Sequence, residues 1–227
     1  MDVYGLALQE YFTGNRKEKL WLYNNYGEPE EMPLDVFFRQ EDEMPEPELY
    51  ALELCEGSVL DIGAGAGSHA VLLQSMGLDV TALEISEGAC KIMEQRGIDK
   101  IINGDIFNYK EQKFDTLLLL MNGIGLTGNL QRFREFLDHA EQLLNPGGQL
   151  IFDSSDISYL YHTVPEPKDK YFGEISYCYR YKTNRGEWFN WLYIDPKTLL
   201  KEIKETEWTA QIVYEDETGH YLARLTI

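Results

Sequence analysis

Three glycines at alternate positions mark the first stretch whose residue types could do chemistry. In "SVLDIGAGAGSHA", residues 58–70, an apolar run containing Asp61 is followed by Gly63, Gly65 and Gly67, and then by a helical pattern. Because these glycines carry no Cβ atom, they let the backbone approach a ligand closely. The following helix directs its free N–H groups and the positive end of its dipole at the same place. The pattern predicts a site for a carboxylate or a phosphate, and the glycines alone do not choose between them.

Two acids further along the chain narrow the choice of ligand. Glu84 ends the second apolar run, where a carboxylate can accept hydrogen bonds from both hydroxyls of a ribose. Asp105 lies just beyond the third run, where it could accept from an adenine amino group while Ile106 covers the ring. A dinucleotide fingerprint would end in a glycine where this chain has Ser68, which disfavours NAD. Together these residues favour an adenosine-type ligand.

Short apolar runs alternate with longer amphipathic runs from Ser58 onward, as in a parallel sheet covered by helices. The runs predicted as strands are SVLDI, LDVTALEI, DKIING, KFDTLLLLMN and QLIFDSS, which cover residues 58–62, 78–85, 99–104, 113–122 and 149–155. Helices are predicted from about Ala66, after a cap at Ser86, and over residues 129–144, which end at the turn NPGG. This repeat indicates a doubly wound α/β sheet.

The C-terminal third departs from that repeat. EISYCYRYK and EWFNWLYI, joined by the turn TNRG, predict a β-hairpin over residues 174–194. A helix with Pro196 in its first turn follows, and then WTAQIVYE and HYLARLTI, which the short DETG connection makes antiparallel neighbours. The predicted fold is a seven-stranded, mostly parallel sheet with one antiparallel strand, plus the hairpin and an N-terminal extension. The aromatic residues of the hairpin could wall a ligand pocket, pack the sheet or form a dimer surface.

The residues before the first predicted strand are strongly acidic. Residues 28–56 hold eleven acids against the single base Arg39. We favour a solvated surface with a helix near residues 46–55, and a lid over the ligand edge of the sheet is the alternative. The predicted organisation is therefore an extension over residues 1–57 and one domain over residues 58–227, with the hairpin inserted in it.

Charge and composition exclude several classes of partner. The 227 residues carry a formal net charge of −19, whereas proteins that follow a phosphate backbone owe much of their affinity to clustered Lys and Arg. Nucleic acid is therefore not expected as a partner. Three cysteines without metal-like spacing favour free thiols and the cytoplasm. No run approaches the roughly 20 apolar residues that span a bilayer, so no membrane partner is expected, while a homodimer stays open.

The region of residues 58–154 resembles the class I S-adenosylmethionine-dependent methyltransferases. The motifs that carry the resemblance are VLDIGAGAGSHA, Glu84 in VTALEIS, Asp105 in GDIF, and MNGIG after the fourth strand. The resemblance implies S-adenosylmethionine as the cofactor, with Asp61 orienting the glycine loop or reaching the amino group through water. The cofactor-binding residues expected on this basis are Asp61, Gly63, Ala64, Gly65, Gly67, Glu84, Ile85, Asp105, Ile106 and Asn122.

Methyl transfer from a sulfonium is an in-line displacement, so such an enzyme contributes mainly by holding the reacting atoms in line within a dry pocket. A general base is optional, and the sequence contains no motif that identifies one. The candidates on the acceptor side follow the fifth strand and are Asp153, Asp156, Tyr159 and His162. No metal site is predicted, although the two aspartates leave a metal conceivable.

The leading functional hypothesis is methyl transfer from S-adenosylmethionine to a small-molecule acceptor, in a pocket beneath the hairpin. Low basic content and the absence of nucleic-acid methylation motifs favour a small acceptor. Two alternatives remain at this point. One is a non-catalytic protein that binds S-adenosylmethionine or a nucleotide, and the other is a nicotinamide-dependent oxidoreductase.

Overall fold

A computed structural model describes residues 1–162 and 165–227 and contains two β-sheets. Its helices are α1 (Val3–Phe12), α2 (Glu46–Glu53), α3 (Ser68–Ser75), α4 (Glu87–Gln95), α5 (Leu130–Leu143) and α6 (Pro196–Glu202). Its strands are β1 (Leu20–Asn24), β2 (Glu30–Met32), β3 (Ser58–Ile62), β4 (Asp79–Glu84), β5 (Ile101–Asn103), β6 (Phe114–Leu119), β7 (Leu144–Ser155), β8 (Glu174–Tyr181), β9 (Asn184–Leu192), β10 (Thr209–Glu215) and β11 (His220–Thr226).

The larger sheet has seven strands in the order β10-β11-β7-β6-β3-β4-β5. The pairs β4–β5 and β6–β7 are parallel, whereas β11 runs antiparallel to both β7 and β10. Only β11 therefore opposes the direction of its neighbours among these pairs. This arrangement confirms the predicted doubly wound sheet with one antiparallel strand.

Two of the predicted helix starts, those of α4 and α5, are confirmed by side-chain caps. Ser86 Oγ accepts from the backbone N–H of Ala89 at 3.1 Å, and the Asn129 side chain accepts from Arg132 N–H at 2.9 Å. The start of α3 differs from the prediction by two residues. Gly67 there takes a left-handed φ of +82° and closes a tight turn, so the helix begins at Ser68.

The smaller sheet has the strand order β2-β1-β8-β9 and joins the N-terminal extension to the predicted hairpin. Strands β1 and β2 were not predicted. Leu20 lies opposite Tyr181, and both side chains are fully buried. The hairpin turns at residues 182–183, one residue before the predicted turn, because Lys182 takes the left-handed φ of +54° and Asn184 already belongs to β9.

The predicted turn NPGG lies within β7, which begins at Leu144. The register accommodates it, since Phe114 pairs with Leu144 while Thr116 pairs with Gln149. Three residues of β6, 114–116, thus span six residues of β7, 144–149. Gly147, with a φ of +80°, supplies the backbone conformation that this irregularity requires.

The chain forms two compact units, each assembled from separate segments. The first unit comprises residues 1–44, 60–109 and 176–189, and the second comprises residues 45–59, 110–175 and 190–227. In the first unit, Val3, Ala7 and Leu8 of α1 pack with Ala89 and Ile92 of α4 in a buried cluster.

In the second unit, the ring of Phe133 from α5 packs edge-on against Phe152 of β7, with centroids 6.3 Å apart. Both rings are fully buried. Throughout residues 1–162 and 165–227, no helix is both long enough and apolar enough to cross a membrane.

Candidate functional site

The glycine loop lies between β3 and α3 in the first unit and is held by the end of β4. Gly63 N–H donates to the Leu83 carbonyl at 2.8 Å, and Gly65 N–H donates to Glu84 Oε2 at 2.9 Å. The φ angles of Gly63, Gly65 and Gly67 are all positive, between +57° and +82°. Side chains rarely adopt this conformation, so the loop depends on glycine.

Gly65 and Gly67 are glycines for different reasons. A Cβ atom on Gly67 would lie 2.3 Å from Ile98 Cδ1 and 2.9 Å from Met93 Cγ, so this position serves the packing of the loop against the α4 region. A Cβ atom on Gly65 would instead point to the Tyr4 hydroxyl, at 3.0 Å. A Cβ atom on Gly65 would thus meet a polar group, whereas one on Gly67 would meet apolar side chains.

Glu84 joins the glycine loop to the start of α4. Its Oε2 accepts from Gly65 N–H, and its Oε1 accepts from Ser86 N–H at 2.8 Å. The side chain is only 5% exposed, and burial raises the pKa of the carboxyl group. Each carboxylate oxygen can accept more than one hydrogen bond, so both retain capacity for ribose hydroxyls. Ile85, next in the chain, is 71% exposed, which is unusual for an isoleucine and leaves its side chain free to cover a ring.

Asp61 of β3 carries a buried carboxylate oxygen without a partner. The side chain is 2% exposed, and Oδ2 has no hydrogen-bond partner among the described residues. Burial raises the pKa of Asp61 to about 6, although the nearby His69 and a hydrogen bond from Ala70 N–H act in the opposite direction. The remaining oxygen of this buried carboxylate can accept a hydrogen bond from a cationic group such as an ammonium. The carboxylate acceptors Glu84 and Asp61 therefore fit a nucleoside that carries an amino-acid group.

Asp105 and Ile106 follow β5, as predicted. Asp105 accepts from Phe107 N–H at 3.0 Å and so caps the short 3-10 turn Ile106–Asn108. This bond occupies Oδ1 of the carboxylate. Ile106 is 3% exposed. A contact of either residue with adenine stays a prediction.

The N-terminal helix α1 contributes Tyr4 to the glycine loop, a residue that the sequence did not single out. The Tyr4 ring stacks on Tyr179 with centroids 5.5 Å apart, and it meets Phe37 edge-on at 5.3 Å. Burial and the charge of Glu84 raise the pKa of Tyr4 well above its ordinary value, so the hydroxyl stays protonated. Tyr4 can therefore donate a hydrogen bond at Gly65.

Two further contacts fasten the N-terminal extension to this loop. The Asp2 carboxylate accepts from Gly5 N–H and from Ser86 Oγ, both at 2.7 Å, so one residue links the starts of α1 and α4. Ser68 Oγ donates to the Phe37 carbonyl at 2.9 Å. Part of the extension, including Phe37 of its acidic segment, is thus packed at the start of α3 next to the glycine loop.

In the second unit, Asp153 is the predicted acceptor-side residue with the most polar contacts. Its two carboxylate oxygens accept from Asn122 N–H at 2.8 and 3.0 Å. His220 Nε2 lies 2.7 Å from Asp153 Oδ2. The structure therefore brings together Asn122 and Asp153, which were predicted, with His220, which was not.

The other three acceptor-side candidates are not part of this cluster. Asp156 accepts from Ser158 N–H at 2.8 Å and caps the short 3-10 turn Ser158–His162. Tyr159 is 57% exposed and His162 is also exposed, and neither side chain hydrogen-bonds to another described residue. A catalytic role for these residues stays a prediction.

Comparison with known proteins decides the family. The family model described as "Methyltransferase domain" matches residues 60–152. The chain is similar to an S-adenosylmethionine-dependent methyltransferase from Bacteroides fragilis, whose crystal structure contains S-adenosyl-L-homocysteine. The two sequences are 35% identical, and the match covers 100% of this chain and 94% of the Bacteroides fragilis chain, with a TM-score of 0.91. The chain belongs to the class I S-adenosylmethionine-dependent methyltransferases.

Curated relatives of this methyltransferase match only in part. A ribosomal RNA small subunit methyltransferase C from Mannheimia succiniciproducens is 26% identical over 127 residues, which are 52% of this chain and 36% of the relative. A demethylmenaquinone methyltransferase from Tropheryma whipplei is 30% identical over 99 residues, which are 41% of this chain and 39% of the relative. The chain thus spans less than two fifths of the length of either relative.

The aromatic residues of the methyltransferase's hairpin pack in two places. In the first unit, Phe189 lies against Tyr179 with ring centroids 5.1 Å apart. In the second unit, Trp191 covers Gly125, where an added Cβ atom would lie 2.0 Å from the indole Nε1. Trp188 is half exposed.

Within residues 1–162 and 165–227, no group of three or more His, Cys, Asp or Glu side chains could hold a metal ion.

Replacing Asp61 with asparagine is expected to move protein stability and cofactor affinity of this methyltransferase in opposite directions. Because burial raises the pKa of Asp61 to about 6, the unfolded chain loses this proton first, and the fold is destabilised as the pH rises from about 4 to about 6. At pH 8 the asparagine variant should therefore unfold at a higher temperature, by a free energy of at most about 3 kcal/mol, and at pH 4 the difference should vanish.

The same variant should bind S-adenosylmethionine more weakly at pH 8, because it lacks the carboxylate that is expected to balance the charge of the ammonium. Wild-type affinity should rise between about pH 5 and 7, as Asp61 ionises, and the variant's affinity should not. Calorimetric titration across this range measures both. Equal pH profiles for the two proteins would exclude Asp61 from the cofactor site.

Proposed function

We propose that this methyltransferase binds S-adenosylmethionine through residues of its first unit and transfers the methyl group to a small-molecule acceptor. The observation that carries the proposal is the bond between Glu84 Oε2 and Gly65 N–H, which joins the predicted ribose acceptor to the glycine loop. The unpaired buried oxygen of Asp61 adds a second match to the cofactor. The similar enzyme from Bacteroides fragilis was crystallised with S-adenosyl-L-homocysteine, the demethylated product of that cofactor.

The roles proposed for the chain's residues follow their chemistry. Glu84 accepts from the ribose hydroxyls, Asp61 balances the ammonium charge, and Ile85 covers the base. Gly63, Ala64, Gly65 and Gly67 form the loop beneath the methionine moiety, and Asp105 and Ile106 complete the proposed set in the first unit. A contact of Asn122, which belongs to the second unit, with the cofactor stays a prediction. When bound, S-adenosylmethionine would supply a methyl group on a sulfonium: an acceptor lone pair would form the bond to the methyl carbon in line as the carbon–sulfur bond breaks, and S-adenosyl-L-homocysteine would leave as the neutral thioether. The protein then contributes orientation and exclusion of water.

The small-molecule acceptor is supported by charge. A formal net charge of −19 opposes binding of a polyanion such as RNA, because RNA-binding proteins owe much of their affinity to an excess of Lys and Arg. Of the two curated relatives, one is named for demethylmenaquinone and the other for ribosomal RNA. The acidic composition favours an acceptor of the first kind, a metabolite, over a nucleic acid.

The N-terminal extension, residues 1–57, is proposed to cover the bound cofactor. Tyr4 carries this proposal, because its hydroxyl lies beside Gly65 and has no hydrogen-bond partner among the described residues. The hairpin over residues 174–194 supports the same cover through the stacking of Tyr179 on Tyr4. Residues 58–227 would then form the methyltransferase domain proper.

Replacing Tyr4 with phenylalanine is expected to weaken binding of S-adenosylmethionine by about 5- to 10-fold, the usual effect of one lost hydrogen bond. The ring packing is retained, so the unfolding temperature should stay unchanged. Tyr11→Phe, on the same helix with its ring stacked on Phe38, is the matched control and should bind as the wild type does. If the Tyr4→Phe variant binds S-adenosylmethionine with wild-type affinity, the proposal that α1 contributes to the cofactor site is wrong.

Calorimetry with three ligands separates the leading proposal from the oxidoreductase alternative. We expect heat of binding and micromolar-range affinity with S-adenosylmethionine and with S-adenosyl-L-homocysteine, and none with NADH. Binding of NADH alone would contradict the proposal. Consumption of a labelled methyl donor then separates an enzyme from a non-catalytic binding protein.

A further inference from the structure

Two consecutive residues after β6 are held in an unusual backbone conformation. Met121 and Asn122 have φ angles of +63° and +55°, in the left-handed region that non-glycine residues rarely enter. Within residues 1–162 and 165–227, Lys182 in the hairpin turn is the only other non-glycine residue with a positive φ. Backbone strain of this kind persists only where surrounding contacts fix it, and it concentrates at functional sites.

The Asp153 carboxylate supplies those contacts. Both of its oxygens accept from Asn122 N–H, at 2.8 and 3.0 Å, and the group is 3% exposed. The Asn122 side chain is held as well, because its Oδ1 accepts from Ser155 Oγ at 2.9 Å. Asp153 and Ser155 both belong to β7. The neighbouring strand therefore fixes the turn through backbone and side chain together.

His220, the first residue of β11, in turn fixes Asp153. Its Nε2 lies 2.7 Å from Asp153 Oδ2, and its backbone N–H donates to Asp216 Oδ1 at 3.1 Å. The acids that face the imidazole are Asp153 from β7, Asp216 from the β10–β11 turn and Glu48 from α2. With the hydrogen bond to Asp153 as the largest cause, they raise the pKa of His220.

We propose that His220 is a positioning residue for methyl transfer, because its Nε2–H holds the Asp153 carboxylate that fixes the left-handed Met121–Asn122 turn. The geometry is a chain of three contacts, from the β11 imidazole through a buried carboxylate to a strained backbone amide. Its connection to catalysis rests on the proposed function, in which Asn122 is a predicted cofactor residue. The turn itself can be tested without any acceptor.

A positioning role makes a different demand on His220 from a general base. The Nε2–H donates to Asp153 whether the imidazole is neutral or protonated, so the contact persists as the pH passes through the pKa of His220. A glutamine can present an amide N–H at about the place of Nε2, whereas a leucine cannot. A base would instead have to lose its proton, and glutamine could not replace it.

Amide hydrogen exchange at Asn122, measured by NMR on the full-length chain, tests the proposal. His220→Leu should speed exchange at Asn122 by at least about tenfold and leave Leu118, inside β6, within about twofold of the wild type. His220→Gln should stay within about threefold at both positions, as should His139→Gln on α5, the matched control. Unchanged exchange at Asn122 in His220→Leu, or equal acceleration at Leu118, would overturn the proposal.

A second readout uses the labelled methyl donor, at saturating concentration, with whichever extract fraction accepts label. His220→Leu should lower kcat by at least about tenfold, and His220→Gln should keep the wild-type rate and pH profile to within about threefold. If His220→Gln loses activity as completely as His220→Leu, together with a pH-dependent limb, His220 acts as a base and the positioning role is wrong. If the wild type transfers no label, the proposed function fails, and the exchange measurement still decides the role of His220.

Discussion

Replacing Gly65 with valine is expected to lower the affinity for S-adenosylmethionine by more than about 100-fold. Gly65 has a φ of +57°, and an added Cβ atom would point toward the Tyr4 hydroxyl at 3.0 Å and the Phe37 ring at 3.6 Å. A branched side chain there would occupy the space of the ligand and disfavour the backbone conformation that directs Gly65 N–H to Glu84. Both effects lower the affinity for the cofactor, so the expected loss of binding free energy is larger than that from a single lost hydrogen bond.

Gly77→Val is the matched control for the conformational strain. Gly77 follows α3 with a φ of +87°, and an added Cβ atom would meet nothing within 4 Å. The control should therefore lose stability through strain alone, while its affinity for the cofactor stays at the wild-type value. Calorimetry on both variants, with circular dichroism to verify folding, gives the comparison. Equal affinities for the folded Gly65→Val variant and the control would refute a cofactor site at this loop.

Replacing Glu84 with glutamine is expected to weaken binding of the same cofactor by about 30- to 150-fold, or about 2–3 kcal/mol. The carboxylate accepts from Gly65 N–H on one oxygen and from Ser86 N–H on the other. In the amide, one of these positions becomes an N–H donor facing another donor, so the loop shifts and the ribose loses a charged acceptor. The loss is thus larger than for an exposed acid.

Glu87→Gln controls for the removal of one negative charge near this site. Glu87 lies in the first turn of α4, where its exposed side chain pairs with Lys91 at 2.5 Å. Exposed pairs of this kind contribute about 0–1 kcal/mol, so affinity and stability should change little. If both glutamine variants bind equally well, the ribose acceptor is another residue.

The repeat of strands and helices from Ser58 onward could be predicted because each element carries its own local signal. The apolar run of β6 and the amphipathic pattern of α5 occur within single segments, and caps such as Ser86 and Asn129 mark where helices start. Strands β1 and β2 carry no comparable signal. The residues of β1 pair with β8, more than 150 positions away in the chain, and β2 is a three-residue strand containing two glutamates.

The proposed cofactor residues could also be predicted from local signals, since Gly65 and Glu84 are recognised by their positions at the ends of successive strands. The residues that sequence reasoning missed reach their places from elsewhere in the chain. Tyr4 comes from α1, and Arg96, whose Nη1 donates to the Ala66 carbonyl at 2.7 Å, comes from just after α4. No fixed spacing relates them to the glycine loop.

His220 illustrates the same limit on the acceptor side. The turn before it, DETG, predicted an antiparallel neighbour for the preceding strand but not the strand beside which β11 would lie. Insertion of β11 next to β7 sets His220 opposite Ser155 and within 2.7 Å of Asp153. The family's strand order supplies that neighbour, and the register then decides which side chains meet. The sequence offered one signal for this residue, which is that a histidine stands at the start of the last predicted strand.

Transfer of a tritiated methyl group from S-adenosylmethionine to a fractionated cell extract tests the central claim most directly. The account predicts that the wild-type chain moves label into the low-molecular-mass fraction and not into RNA, and that Gly65→Val moves none. Label that stays on the donor with every fraction, although the donor binds, would mean a non-catalytic binding protein. Label in the RNA fraction would contradict the small-molecule acceptor.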